Sequence, residues 1–175
     1  MAQKLDAGSA FPKMTVPMLG GGELALGTPT GDHDWQMVVV YRGKHCPLCT
    51  KYLKELTELL PEFEAQGVDV VAVSADSEAQ ASAQRDEVAP TFPIGYGLTI
   101  AQMTELGVYI SDPRSDKETD HPFPEPGLFI INGEGNIQIL DISNAPFSRP
   151  DLGALARGIR FIRANDYPVR GTHSV

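Results

Sequence analysis

Val38-Val39-Val40-Tyr41-Arg42-Gly43-Lys44-His45-Cys46-Pro47-Leu48-Cys49 is the stretch from which the fold of this chain is read. The apolar, β-branched run around it, 35–41, is too short for a useful helix. It suits a central strand covered on both faces. Gly43 marks a tight turn, and Pro47 fits a first helical turn, where its missing N–H leaves nothing unpaired. The stretch therefore reads as strand, turn, helix. Both cysteines of the chain, Cys46 and Cys49, fall at that junction.

Downstream, the period changes to helical over 47–66. Leu53, Leu56, Leu60 and Phe63 make one stripe, with Lys51, Lys54, Glu55, Glu58 and Glu62 on the other faces. Pro61 is expected to kink or divide this helix, and Gly67 to stop it. A second β-branched strand follows at 68–74, completing a βαβ unit whose strands run parallel. Upstream, 11–19, the turn Gly20-Gly21-Gly22 and the strand 23–26 predict an N-terminal hairpin. Capping boxes at Ser77/Gln80 and Thr99/Gln102 start two further helices, 77–88 and 99–106. A short edge strand is expected at 107–110. The segment 111–125 carries Pro113, Pro122 and Pro124 and reads as a mobile surface loop, with a lid bringing His121 near the thiols as the alternative. A late hairpin spans 128–140, and a last helix begins after Ser148 with Pro150 in its first turn. Its stripe is Leu152, Leu155, Ile159 and Ile162. The order predicts an α/β fold. Its mixed central sheet is parallel in the middle and antiparallel after Pro126, with helices on both faces. One domain is expected over 1–175, with flexible ends at 1–9 and 165–175.

Length and composition fit this picture. A chain of 175 residues, 42% hydrophobic and 21% charged, can bury a core without staples. A formal charge of −9 argues against a nucleic-acid surface. No apolar run approaches the ~20 residues of a membrane span. The first ten residues carry no apolar segment typical of a secretory leader, so a reducing, cytoplasmic compartment is expected. There a Cys-x-x-Cys is catalytic or metal-binding more often than a permanent staple.

A cysteine is a nucleophile as its thiolate, and a helix N-terminus favours that charge through unpaired N–H groups and the dipole. Arg42, Lys44, His45 and Lys51 add positive charge around Cys46, so a depressed Cys46 pKa is expected. Cys49 lies one helical turn on, within disulfide reach. Three readings compete: a redox pair, a zinc site, and two inert core cysteines. Zinc needs about four ligands. His33, His45, His121 and His173 show no paired spacing to supply them, so no metal or other cofactor is expected.

The stretch from Tyr41 to Cys49 resembles the active-site turn of the peroxiredoxin-like branch of the alkyl hydroperoxide reductase/thiol-specific antioxidant family, within the thioredoxin-fold superfamily. The segment 68–74 is similar to the second strand of that fold, 126–135 to its late hairpin, and 149–152 to the start of its final helix. The resemblance implies a thioredoxin-like fold with Cys46 as the attacking cysteine and Cys49 as the resolving one. It puts Pro126 at the position of a cis-proline facing the redox cysteine. The chain departs from the family pattern at Val39 and Gly43, where a Pro and a Thr are usual. It also departs at Glu125-Pro126-Gly127, where an Arg is usual. Arg42 and Arg149 are the candidates to stand in for that cation. The implied function is peroxide reduction, with a dithiol donor such as thioredoxin or glutathione as partner. A disulfide reductase and a non-catalytic binding module are the alternatives. A homodimer is also implied, with Trp35, Tyr109 and Phe123 as the apolar residues expected at its surface.

Overall fold

A computed structural model describes residues 3–175. Strand β3 (Trp35–Val40) is the centre of a five-stranded sheet of order β5-β4-β3-β8-β9. It pairs in parallel with β4 (Val68–Val73), Val38 opposite Val71, and β4 pairs in parallel with β5 (Ile94–Gly95). On its other side β8 (Gly127–Ile131) is antiparallel, Val38 opposite Phe129, and β9 (Ile137–Ile142) closes that edge. Every residue of β3 and β4 is buried, as a strand covered on both faces requires. This is the expected mixed α/β sheet of thioredoxin-like type.

The two faces divide β3 by alternation. Met37 and Val39 meet helices α1 (Pro47–Glu64), α2 (Glu78–Val88) and α4 (Leu152–Asn165). Val38 and Val40 meet α3 (Ile100–Leu106) and the N-terminal hairpin of β1 (Met14–Pro17) and β2 (Glu23–Leu26). Leu53, Leu56 and Phe63 of α1 have no exposure, and each contributes about 1.5–3 kcal/mol by leaving water. Both predicted capping boxes form, at Ser77/Gln80 and Thr99/Gln102.

Several expectations are corrected. Pro61 does not divide α1. It lies in the last turn, where one absent N–H interrupts little, and Ala65 N–H still donates to Pro61 O at 3.0 Å. Pro150 stands outside α4, whose N-cap is Asp151, with Oδ1 accepting Ala154 N–H at 2.7 Å. No peptide bond among the described residues is cis, so the Glu125–Pro126 bond is trans. The segment 111–125 is not a loose loop. Strands β6 (Ile110–Ser111) and β7 (Phe123–Pro124) pair to close it, and Thr119, Phe123 and Glu125 are buried. Trp35 and Phe123 are buried too, and Tyr109 is half-buried under Lys4 Nζ, so none of the three forms an exposed apolar patch.

Toward the start of the chain, Gly8 N–H donates to Ile137 O and Ile137 N–H to Ser9 O, both at 2.8 Å. Lys4 Nζ donates to Gly107 O. Residues 1 and 2 of the expected flexible end lie outside the described residues. No described helix is long and apolar enough to cross a membrane.

Candidate active site

The turn after β3 is held by a buried carboxylate. Tyr41 N–H donates to Val73 O at 3.1 Å, carrying the β3–β4 alignment one residue past the strand. The chain then turns at Gly43, with φ +136°. Asp76, 1% exposed just beyond β4, accepts the Lys44 N–H on Oδ2 at 2.8 Å. A Cβ on Gly43 would stand 2.5 Å from Asp76 Oδ1 and 3.1 Å from His45 Nδ1. The position therefore excludes the family's Thr on both conformational and steric grounds. Gly43→Ala is expected to lower stability by about 2–4 kcal/mol, read from chemical denaturation, and Gly43→Thr by more. Pairing Gly43→Ala with Asp76→Ala should not recover the loss, because the backbone strain and the orphaned Lys44 N–H remain.

Cys46 is the N-cap of α1. Its sulfur accepts the Cys49 N–H at 3.3 Å, satisfying one of the unpaired donors of the first turn. Both thiols are free. Cys46 keeps 2% exposure and Cys49 none. A hydrogen bond from the Cys49 thiol is the main cause pulling the Cys46 pKa down to about 5. Arg42 and the Cys49 N–H act in the same direction, and burial opposes them. The same coupling pushes Cys49 far up: its proton is shared with a neighbouring thiolate, and burial adds to the effect. The pair is thus split into one ionised sulfur and one protonated sulfur.

Of the four cations expected around Cys46, only Arg42 acts there. Lys44 pairs with Glu87, and Lys51 is exposed. Burial first, and Arg42 second, push His45 down to about 4, leaving it neutral with its ring edge-on to Phe123 at 4.5 Å. Arg42 also packs over the Phe123 ring, 4.9 Å from its centroid. Its Nε lies 2.9 Å from Glu125 Oε2, an ion pair without hydrogen-bond alignment, and its Nη2 lies 3.8 Å from Glu118 Oε1. The segment 111–125 therefore reaches the site through Phe123, Glu118 and Glu125. His121 instead lies 3.4 Å from Asp76 Oδ1 and 3.1 Å from Gln80 Oε1.

Arg149, a hundred positions from the second cysteine, places Nη2 3.4 Å from Cys49 Sγ. Pro126 lines a narrow cleft together with Tyr52 and Arg149. The candidate residues Cys46, Cys49, Arg42 and Arg149 thus converge, with Pro126 at their border. Sequence reasoning missed Asp76, Phe123, Glu118 and Glu125. Asp76 had a signal: it follows the carboxyl end of β4, beside the end of β3, where parallel strands place functional loops. The other three had none. A cavity of about 450 Å³ lies at the opposite end of β3 beside Trp35 and Tyr167, away from the thiols. A shallower groove of about 250 Å³ between Leu48, Tyr52, Phe147 and Arg149 adjoins the dithiol.

The family model for the AhpC/TSA family matches residues 7–139. The chain is 29% identical over 108 residues to a Mycobacterium tuberculosis protein named "Putative peroxiredoxin", covering 61% of this chain and 66% of that one. It is 28% identical over 95 residues to the thiol-disulfide oxidoreductase ResA of Halalkalibacterium halodurans, covering 54% and 47%. The chain thus spans at most 66% of the length of these curated relatives. Among solved structures, a peroxiredoxin-like protein from Aquifex aeolicus superposes with a TM-score of 0.75 at 19% identity, over 91% of this chain and 89% of that one. Peroxidoxin BcpB from Mycobacterium tuberculosis gives 0.72 at 16% identity, over 92% and 98%. At these identities the superpositions speak for the fold.

Proposed function

Because the chain belongs to the AhpC/TSA family, we propose that it is a thiol-dependent oxidoreductase that reduces peroxides through a Cys46/Cys49 dithiol–disulfide cycle. The observation that carries this reading is the place of Cys46 as N-cap of α1, its buried sulfur accepting the Cys49 N–H at 3.3 Å one turn from the second free thiol. In the first step the Cys46 thiolate attacks a peroxide oxygen. An S–O bond forms, the O–O bond breaks, and the departing oxyanion takes a proton from solvent. In the second step Cys49 displaces the hydroxyl of the Cys46 sulfenic acid as water, giving the disulfide. A dithiol such as thioredoxin, or two equivalents of glutathione, then returns the pair to thiols. A reducing cytoplasm is the setting in which such a pair cycles rather than persisting as a staple. A homodimer is part of the same proposal and is read from sedimentation.

A second reading, a disulfide reductase, is favoured by one observation. Gly43 offers no hydroxyl where the family uses Thr, which removes a donor that would stabilise charge on a peroxide oxygen. Stopped-flow consumption of hydrogen peroxide by the reduced protein separates the two. The peroxidase reading expects a rate well above that of a free thiol of matched pKa. That rate is flat above about pH 6 and falls roughly tenfold per pH unit below 5, as the Cys46 thiolate is protonated. A rate no higher than the free thiol's contradicts it and leaves the disulfide reductase.

A further inference from the structure

Cys49 is the harder sulfur to use. It is fully buried, so any cycle in which it acts must remove its proton, and place charge on its sulfur, away from water. One side chain approaches it with positive charge. Arg149 Nη2 donates toward Cys49 Sγ at 3.4 Å.

That approach is built. Arg149 Nε donates to Pro146 O at 3.0 Å, fixing the guanidinium plane. The guanidinium lies over the Tyr52 ring at 5.1 Å. The Tyr52 hydroxyl donates to Pro150 O at 2.7 Å, tying the residue after Arg149 to α1 one turn below the cysteines. Tyr52 is thus both the platform and the anchor. Arg42, paired with Glu125 and Glu118, acts on the other sulfur by favouring the Cys46 thiolate.

We infer that Arg149 is a catalytic residue of the second step, stabilising negative charge on Cys49 Sγ as that sulfur forms the disulfide. The inference rests on the proposed cycle and deepens it. In that step the Cys49 S–H bond breaks and the S–S bond forms. The S–O bond of the Cys46 sulfenic acid breaks, and the hydroxide leaves with the Cys49 proton as water. The Cys49 sulfur is oxidised and the Cys46 sulfur is reduced. Arg149 exchanges no atom. It offsets the charge carried by Sγ between loss of the proton and closure of the S–S bond. This role differs from holding the peroxide, because the guanidinium faces the resolving sulfur.

The test separates the two steps in Arg149→Met and Arg149→Lys. Peroxide consumption in a single turnover reads the first. Acid-quenched mass spectrometry reads disulfide formation, and dimedone traps the sulfenic acid. A cation beside a thiol is worth one to several pKa units, partly offset by the lower nucleophilicity of a less basic sulfur, so the net effect is on the order of tenfold. Arg149→Met is therefore expected to keep the first step within about twofold and to slow the second roughly tenfold. Dimedone-trapped Cys46 should accumulate, and the pH profile of the second step should move upward. Arg149→Lys should recover part of the rate. Disulfide closure as fast as in the unmodified chain overturns the inference, as does equal slowing of both steps.

Glutathione disulfide is the second oxidant. It forms a mixed disulfide at Cys46 that Cys49 resolves, expelling glutathione thiolate. Loss of the Arg149 effect with both oxidants sinks the Arg149 role. If the unmodified chain does not react with peroxide but the Arg149 effect appears with glutathione disulfide, the peroxidase reading is sunk and the Arg149 role stands. If Arg149→Met does not fold, as judged by circular dichroism, Tyr52→Leu removes the platform while retaining the guanidinium. The same selective slowing is then expected, and its absence contradicts the inference.

Discussion

Cys46→Ser is expected to reduce peroxide consumption to the background of buffer, because it removes the one sulfur that is ionised at neutral pH. Cys49→Ser should behave differently. It is expected to consume about one equivalent of peroxide and stop, with Cys46 held as a sulfenic acid that dimedone captures. The contrast follows from the split of the pair, Cys46 down to about 5 and Cys49 pushed up by its neighbour's charge and by burial. Equal losses in the two variants, with no trapped sulfenic acid in Cys49→Ser, would contradict that division of labour.

Arg42→Met carries the second large effect, and it acts on reactivity and stability separately. The guanidinium favours the Cys46 thiolate, so its loss raises the Cys46 pKa. The midpoint of iodoacetamide alkylation should move up by about one to two pH units. Near pH 6 the thiolate fraction, and with it the peroxide rate, should fall roughly two- to tenfold. The same change strands Glu125, whose side chain is 5% exposed, without its cation. Breaking such a pair costs about 3 kcal/mol. Adding Glu125→Gln to Arg42→Met should recover most of the stability, read from the denaturation midpoint, and none of the lowered pKa. If the double variant also regained the low alkylation midpoint, Arg42 would be a structural ion-pair partner only.

Features encoded locally were legible before the fold was known. Cys46 and Cys49 lie three apart at a strand–helix junction, so their neighbourhood follows from helix geometry alone. The capping boxes at Ser77 and Thr99 and the alternation of β3 are local in the same sense. Features that depend on long-range packing were not legible. Arg149 could be named as a cation but not aimed, because its aim depends on the Tyr52 hydroxyl reaching Pro150 and the Tyr52 ring lying under the guanidinium. Lys44 and His45 looked equivalent to Arg42 by proximity. Glu87 draws off the first, and burial keeps the second neutral. The segment 111–125 read as a loose polar loop because its prolines and charges dominate its composition. Phe123, packed against both Arg42 and His45, and Glu125, paired with Arg42, are what fold it onto the site. Gly43 read as a missing hydroxyl. With Asp76 in place it is instead the residue the turn requires.

The central claim is that Cys46 and Cys49 form one redox unit driven by peroxide. Mass spectrometry of the fully reduced protein after one equivalent of hydrogen peroxide tests it most directly. The account predicts a product lighter by two hydrogens whose digest contains the Cys46 and Cys49 sites joined by a disulfide. Recovery of the unmodified dithiol after the peroxide has been given time to react would contradict it.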